Sequence, residues 1–135
     1  MNLIAKACFA SALTGFALFT VPAQPAGAAN FSGTWSVSGT MNTGPTIAKV
    51  SPVCTLRQSG DALSGTCRGP NGVGTASGEL NGARILFQWH VAATNSIGMS
   101  GVATFHGALG PDGVIRGTWT FTGFRTTGTF TAIRA

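Results

Sequence analysis

From Phe31 onward, apolar and polar positions alternate with a period of two. In Phe31-Ser32-Gly33-Thr34-Trp35-Ser36-Val37, the residues Phe31, Gly33, Trp35 and Val37 fall on one side of an extended strand, and Ser32, Thr34 and Ser36 on the other. Later segments repeat this pattern, with Gly, Thr and Ser interleaved among Trp, Phe and Val. It predicts eight extended segments: Phe31 to Thr40, Thr46 to Gln58, Ala62 to Arg68, Val73 to Leu80, Arg84 to Thr94, Met99 to Leu109, Val114 to Thr122 and Arg125 to Arg134. On the fifth, Ile85, Phe87, Trp89 and Val91 share a face. No stretch after residue 29 carries a 3.6-residue apolar period over ten or more residues, so almost no helix is expected.

Turn chemistry separates the segments. Asn42, Gly44 and Pro45 mark the first loop, Asn81-Gly82 reads as a two-residue hairpin turn, and Asn95 to Gly98 makes a further loop. Gly69-Pro70-Asn71-Gly72 and Gly110-Pro111-Asp112-Gly113 are near-repeats in which Pro presets φ, Asn or Asp caps the turn and Gly takes the left-handed position. Turns this short imply sequential antiparallel pairing. The expected fold is all-β: an eight-stranded antiparallel up-and-down β-barrel, which also removes exposed edges. The alternative, a two-sheet sandwich, needs crossing connections that such turns do not readily supply.

Residues 1–29 break the pattern. Lys6 precedes an uncharged apolar run from Ala7 to Val21, then come Pro22, Pro25 and the small-x-small triplet Ala26-Gly27-Ala28. This is the pattern of a secretory signal peptide, and the mature chain, residues 30–135, is expected to form a single domain. The apolar run is about 15 residues, short of the roughly 20 that span a bilayer, so no stable membrane anchor is expected after signal removal. Cys8 lies too early for a lipid anchor. The expected destination is the periplasm or the extracellular space.

Removing the leader takes Cys8 with it and leaves Cys54 and Cys67, an even pair in an exported chain, which favours a disulfide. If Gly60-Asp61 is a two-residue turn, Cys54 faces Cys67, Leu56 faces Gly65 and Gln58 faces Leu63. A three-residue turn would instead set the cysteines diagonally. Charge is sparse at 8% of residues, and hydrophobic residues make up 44%, which excludes a disordered chain. Without Lys6, seven Lys and Arg stand against Asp61, Glu79 and Asp112, a net charge of about +4. The cations are scattered singly, unlike the clustered footprint of a nucleic-acid binder, so no nucleic-acid partner is expected.

Gly33-Thr34-Trp35 resembles the Gly-x-Trp signature of the calycins, the barrel superfamily that contains lipocalins and avidins. Those families place an Arg on the last strand across that Trp, and Arg134 matches it in position. The resemblance implies a structural seam of Gly33, Trp35 and Arg134, where a guanidinium over an indole joins the first and last strands. Within the superfamily, Phe31 to Trp35, Gly60 to Cys67, Gln88-Trp89-His90-Val91 and Gly117-Thr118-Trp119 are similar to avidin segments. Avidins usually carry a Tyr where Cys67 stands and an Asn where Val37 stands, and this chain has no Tyr. Biotin binding is therefore not carried over, and Trp89 and Trp119 transfer only as wall residues.

Catalytic chemistry finds little material. Asp61 and Asp112 fall in turns, Glu79 lies on an outward face, and no pair of acids converges on one cleft. His90 and His106 lack an obvious third ligand, so no metal site is expected. No nucleophile elbow or phosphate loop appears. No cofactor and no enzymatic activity are expected. What remains is a set of inward apolar and aromatic residues that either fills the barrel or lines a pocket. The functional expectation is an exported barrel that binds an apolar or aromatic small molecule, with Trp89, Trp119, Phe87 and Phe121 as ligand-binding residues. The alternative is an envelope barrel with a filled core that engages or inhibits a protein through the Asn42 to Pro45 and Asn95 to Gly98 loops.

Overall fold

The computed structural model describes residues 30–135. The signal-peptide reading of residues 1–29, Cys8 included, lies outside the described residues. Nine strands form: β1 (Gly33–Asn42), β2 (Ile47–Val50), β3 (Val53–Ser59), β4 (Ala62–Arg68), β5 (Gly72–Asn81), β6 (Arg84–Ala93), β7 (Gly101–Leu109), β8 (Ile115–Phe121) and β9 (Gly128–Arg134). All pair antiparallel with their neighbours, and β1 pairs with β9 to close an eight-stave barrel. Among the described residues there is no helix.

The count of nine against the expected eight has one cause. Ser36↔Val53 and Gly39↔Val50 belong to a single register, so β2 and β3 are one stave interrupted at Ser51-Pro52. Pro52 has no N–H to donate, and only its carbonyl pairs, accepting from Val37 N at 2.9 Å. Beyond Val53 the stave also loses its partner on the other side, because β4 ends at Arg68 and the chain turns at Gly69. β2 is therefore a short free edge carrying an exposed Lys49, a feature that discourages strand addition.

The Cys54↔Cys67, Leu56↔Gly65 and Gln58↔Leu63 pairs form across a two-residue turn at Gly60-Asp61. Cys54 and Cys67 are disulfide-bonded with their Cα atoms 4.0 Å apart. Two turn assignments are corrected. The β5–β6 hairpin turns at Gly82-Ala83, since Asn81 pairs with Arg84. Gly82 has φ +62°, so it serves as the first central residue, where such hairpins demand glycine. In the near-repeat turns, Gly113 takes a positive φ of 81° but Gly72 does not. Gly72 belongs to β5, where a Cβ would lie 2.5 Å from Val91 Cγ1.

Alternation sorts the side chains. Trp35, Val37, Met41, Leu56, Leu63, Ile85, Phe87, Trp89, Phe105, Ile115, Trp119 and Phe130 point inward and are buried. Thr55, Arg57, Thr75, Ser77, Gln88, His90, His106, Arg116 and Thr118 point outward and are exposed. This polarity is the reverse of a lipid-facing barrel, whose apolar band lies outside.

One end of the barrel is plugged. Phe31 and Trp35 are almost fully buried there, with ring centroids 6.3 Å apart, and Trp35 Nε1 donates to Phe31 O at 2.9 Å. Phe31 N donates to Gln58 Oε1 at 2.8 Å and Gln58 N to Ser32 Oγ at 2.9 Å, tying the entering chain to β3. Trp35 pairs with Arg134, whose guanidinium carbon lies 4.4 Å from the ring centroid. Arg134 also donates to Ser32 O at 2.7 Å and to Asn30 O. Gly33 makes room for it: with φ +125°, a Cβ there would stand 3.0 Å from Arg134 Nη1.

Trp35→Ala should cost about 3–5 kcal/mol of stability, because it removes the plug and opens a cavity at the seam. Equilibrium denaturation measures this, and full stability in the variant would contradict a closing role. Replacing both Cys54 and Cys67 with Ser should cost about 3 kcal/mol, chiefly through the freed loop of the unfolded chain. A denaturation midpoint equal to that of the oxidised parent would show that the bond constrains nothing.

Candidate functional site

The barrel interior divides into two halves. In the plugged half, Phe105 stacks with Trp119 at 6.0 Å between centroids, meets Phe130 edge-on at 5.0 Å and packs on Phe87 at 5.9 Å. The void left among Leu56, Ile85, Phe87, Phe105, Ile115 and Phe130 is about 30 Å³, roughly the share of a single water in the liquid. This half is filled core.

The other half is open. A cavity of about 280 Å³ lies at the end formed by the Thr43–Thr46, Gly69–Asn71, 94–100 and 122–127 connections. Trp89 and Trp119 line it together with Val91, Ala103, Phe121 and Phe124, and Ala48 and Val50 of β2 complete one wall. The cavity reaches both the free edge of β2 and the Gly69–Gly72 turn, the gap where β4 has left the barrel. Among the described residues that line it, Lys49 is the one titratable side chain.

The two tryptophans are held differently. Trp119 sits in a slot between two glycines: a Cβ at Gly39 would stand 2.8 Å from its Nε1, and a Cβ at Gly128 would stand 2.5 Å from it. The same nitrogen donates to Thr40 O at 3.1 Å. Trp89 is 3% exposed, yet its Nε1 is buried with no hydrogen-bond partner. Buried donors are normally paired, and an orphan costs about 1–3 kcal/mol. Gly78 and Gly74 on β5 provide no free space. A Cβ at Gly78 would meet Phe87 Cδ1 at 3.3 Å, and one at Gly74 would meet Trp89 Nε1 at 3.6 Å. The small residues of β5 let bulky β6 side chains pack.

Of the residues expected to touch a ligand, the structure brings Trp89, Trp119 and Phe121 together at the cavity. Phe87 does not join them. It lies one layer deeper, against Phe105 in the filled half, because its pair position is two residues nearer the plugged end than that of Trp89. The sequence pattern missed Phe124, Ile97 and Met99, which reach the cavity from loops. The signal was present in Ile97 and Met99, large apolar residues in an otherwise polar connection, 76% and 51% exposed. The Asn95 to Gly98 loop is braced by Asn95, whose Oδ1 accepts from Ile97 N at 3.1 Å and Gly98 N at 2.9 Å, and whose Nδ2 donates to Asn71 Oδ1 at 2.9 Å.

Acidic and imidazole groups lie elsewhere. His90 pairs with Val102 and His106 with Leu86, so the two imidazoles stand in different rows of the outer face. No cluster of three or more metal-ligating side chains occurs among the described residues. Asp61 and Asp112 sit in turns at the plugged end, and Glu79 lies near that end of β5. Asp112 forms an ion pair with Arg116 at 2.7 Å, and both side chains are about half exposed. No protein-family model matches the chain, and no curated protein matches it.

Hydrogen bonds from Arg116, and then from Val114 N–H, hold the Asp112 carboxyl down at about 2. The folded value lies below the ordinary 3.8. The pairing is therefore fully present above the ordinary value and is lost as pH falls through about 2. An NMR titration of Asp112 should show that low midpoint, and Arg116→Ala should return it toward 3.8. An unchanged midpoint in the variant would mean that Arg116 is not the cause.

Proposed function

We propose that this protein is an exported barrel of calycin type that binds an apolar or aromatic small molecule at its open end. The observation that carries the reading is the cavity of about 280 Å³, walled by Trp89, Trp119, Phe121 and Phe124 above a filled core. Small-molecule sites are typically concave and mostly apolar, with few polar groups. A dry apolar cavity of about 150 Å³ takes up a benzene, so this one suits a molecule of one or two rings.

The pairing of Trp35 with Arg134 supports the calycin grouping, and the Cys54–Cys67 bond supports an oxidising compartment. Biotin is not the proposed ligand. At the two positions where avidins usually hold Tyr and Asn, this chain has Cys67, consumed in the disulfide, and the buried aliphatic Val37. Neither can polarise a ureido oxygen.

Titration with 2-naphthol, a two-ring aromatic probe, tests the site. One probe should bind per folded chain, with quenching of tryptophan emission. Val91→Trp, which fills the cavity from its wall, should weaken binding at least tenfold while near-ultraviolet dichroism stays native. Equal binding by the filled variant, or none by the parent, would overturn the proposal. Native mass spectrometry of protein from its own host would then report any retained metabolite.

A further inference from the structure

The two ends of the barrel differ in surface chemistry. Strand directions place Lys49, Arg68 and Arg125 toward the open end, all exposed. No acidic residue among the described residues lies there. Asp61, Glu79 and Asp112 all sit toward the plugged end, where they offset Arg57, Arg84, Arg116 and Arg134. The net positive charge of the described chain is thus concentrated around the cavity mouth.

The same end exposes large apolar side chains. Ile97 is 76% exposed, Ile47 62% and Met99 51%, and all three stand on or beside the connections that ring the mouth. Phe124, half-buried, adds an aromatic ring next to Arg125. Of the other exposed large apolar residues, Val53 and Ile133 flank Ser36 on the outer wall and Leu86 stands apart beside His106, so none of the three belongs to the connections around the mouth. Isolated apolar residues on a surface are ordinary, but a ring of them around a cavity mouth marks an interaction surface.

We propose that the open end docks on an anionic lipid surface, with Ile97, Met99 and Ile47 entering the interface and Lys49, Arg68 and Arg125 meeting lipid phosphates. Charge complementarity selects this occupant. Basic residues are attracted by the negative potential of an anionic leaflet, and that attraction fades within a Debye length. Apolar tips among cations then add contact with the acyl boundary, the combination that interfacial binding requires. A second copy of the chain would bring two positive ends together and is disfavoured. The outer staves remain in water, consistent with their Ser, Thr, Gln and Arg. The geometry also places the cavity mouth against the lipid, so an apolar molecule could pass between the two without crossing bulk water.

Cosedimentation with vesicles tests this, using phosphatidylcholine alone and phosphatidylcholine with 30% phosphatidylglycerol. Binding is expected to the anionic vesicles only, and to weaken as salt rises. Replacing Lys49, Arg68 or Arg125 with Gln should each weaken it by about fivefold. Ile97→Ser with Met99→Ser should lower it at least tenfold. These positions are exposed, and a thermal melt confirms that the variants fold. Arg84→Gln, a cation toward the plugged end, should leave binding unchanged. Val91→Trp, which blocks the cavity, should still dock, and this separates docking from the ligand proposal. Equal binding to both vesicle types, absence of binding, or insensitivity to the open-end substitutions would each overturn docking. So would concentration-dependent dimerisation abolished by Ile97→Ser with Met99→Ser, since the face would then be a self-association surface.

Discussion

Closure of β1 onto β9 is the constraint on which the rest of the molecule depends. A sheet of these strands left open would carry two edges of unpaired backbone. Register joins the edges by setting Trp35 opposite Arg134, Val37 opposite Ala132 and Gly39 opposite Phe130. Gly33, with no side chain, lets the Arg134 guanidinium lie over the Trp35 ring and reach the Ser32 and Asn30 carbonyls. With the cation, Arg134, still exposed to solvent, such a contact contributes only about 0.5–1 kcal/mol. Its importance is positional, because the same guanidinium caps the entering chain that carries Phe31 into the plug. Burial of Trp35 and Phe31 supplies the larger part of the stabilisation at this end.

Closure at one end leaves freedom at the other. Pro52 interrupts the second stave, and β4 turns at Gly69 before it can follow β2. The barrel thus has a complete hydrogen-bonded wall around its filled half and a gap beside its cavity. The division is graded along the axis by residue size: Phe87, Phe105 and Phe130 interlock in the middle, while Ala103 and Val91 leave space above them. Trp119 links the halves. Its ring stacks on Phe105, its indole edge occupies the Gly39–Gly128 slot, and its other surface walls the cavity. A ligand resting there would touch a side chain already immobilised by the fold, which lowers the ordering cost of binding.

Surface chemistry follows the same axis. The acids gather near the plugged end, Asp61 in the two-residue Gly60-Asp61 turn and Asp112 in the 110–114 connection, paired with Arg116. The longer connections and the free edge of β2 gather at the other end with cations and exposed apolar tips. The scattered appearance of the cations along the chain concealed this, because up-and-down strands return every second connection to the same end.

Period-two alternation determined the fold class, the inward set and the outward set, since burial of one face of a closed sheet forces that pattern. The Gly60-Asp61 turn determined the β3–β4 register and brought Cys54 opposite Cys67. Asn81 and Gly82 both suit a turn, and only the pairing of Asn81 with Arg84 on β6 sets the hairpin at Gly82-Ala83. The depth of each inward residue was decided by the tertiary structure alone. Alternation places Phe87 and Trp89 on one face and cannot say that Phe87 belongs to the core and Trp89 to the cavity wall. That depends on stagger between strands, which arises from the closure of the whole barrel. Phe124, Ile97 and Met99 joined the site for a related reason: loops carry no periodicity, and only the assembled open end brings them together.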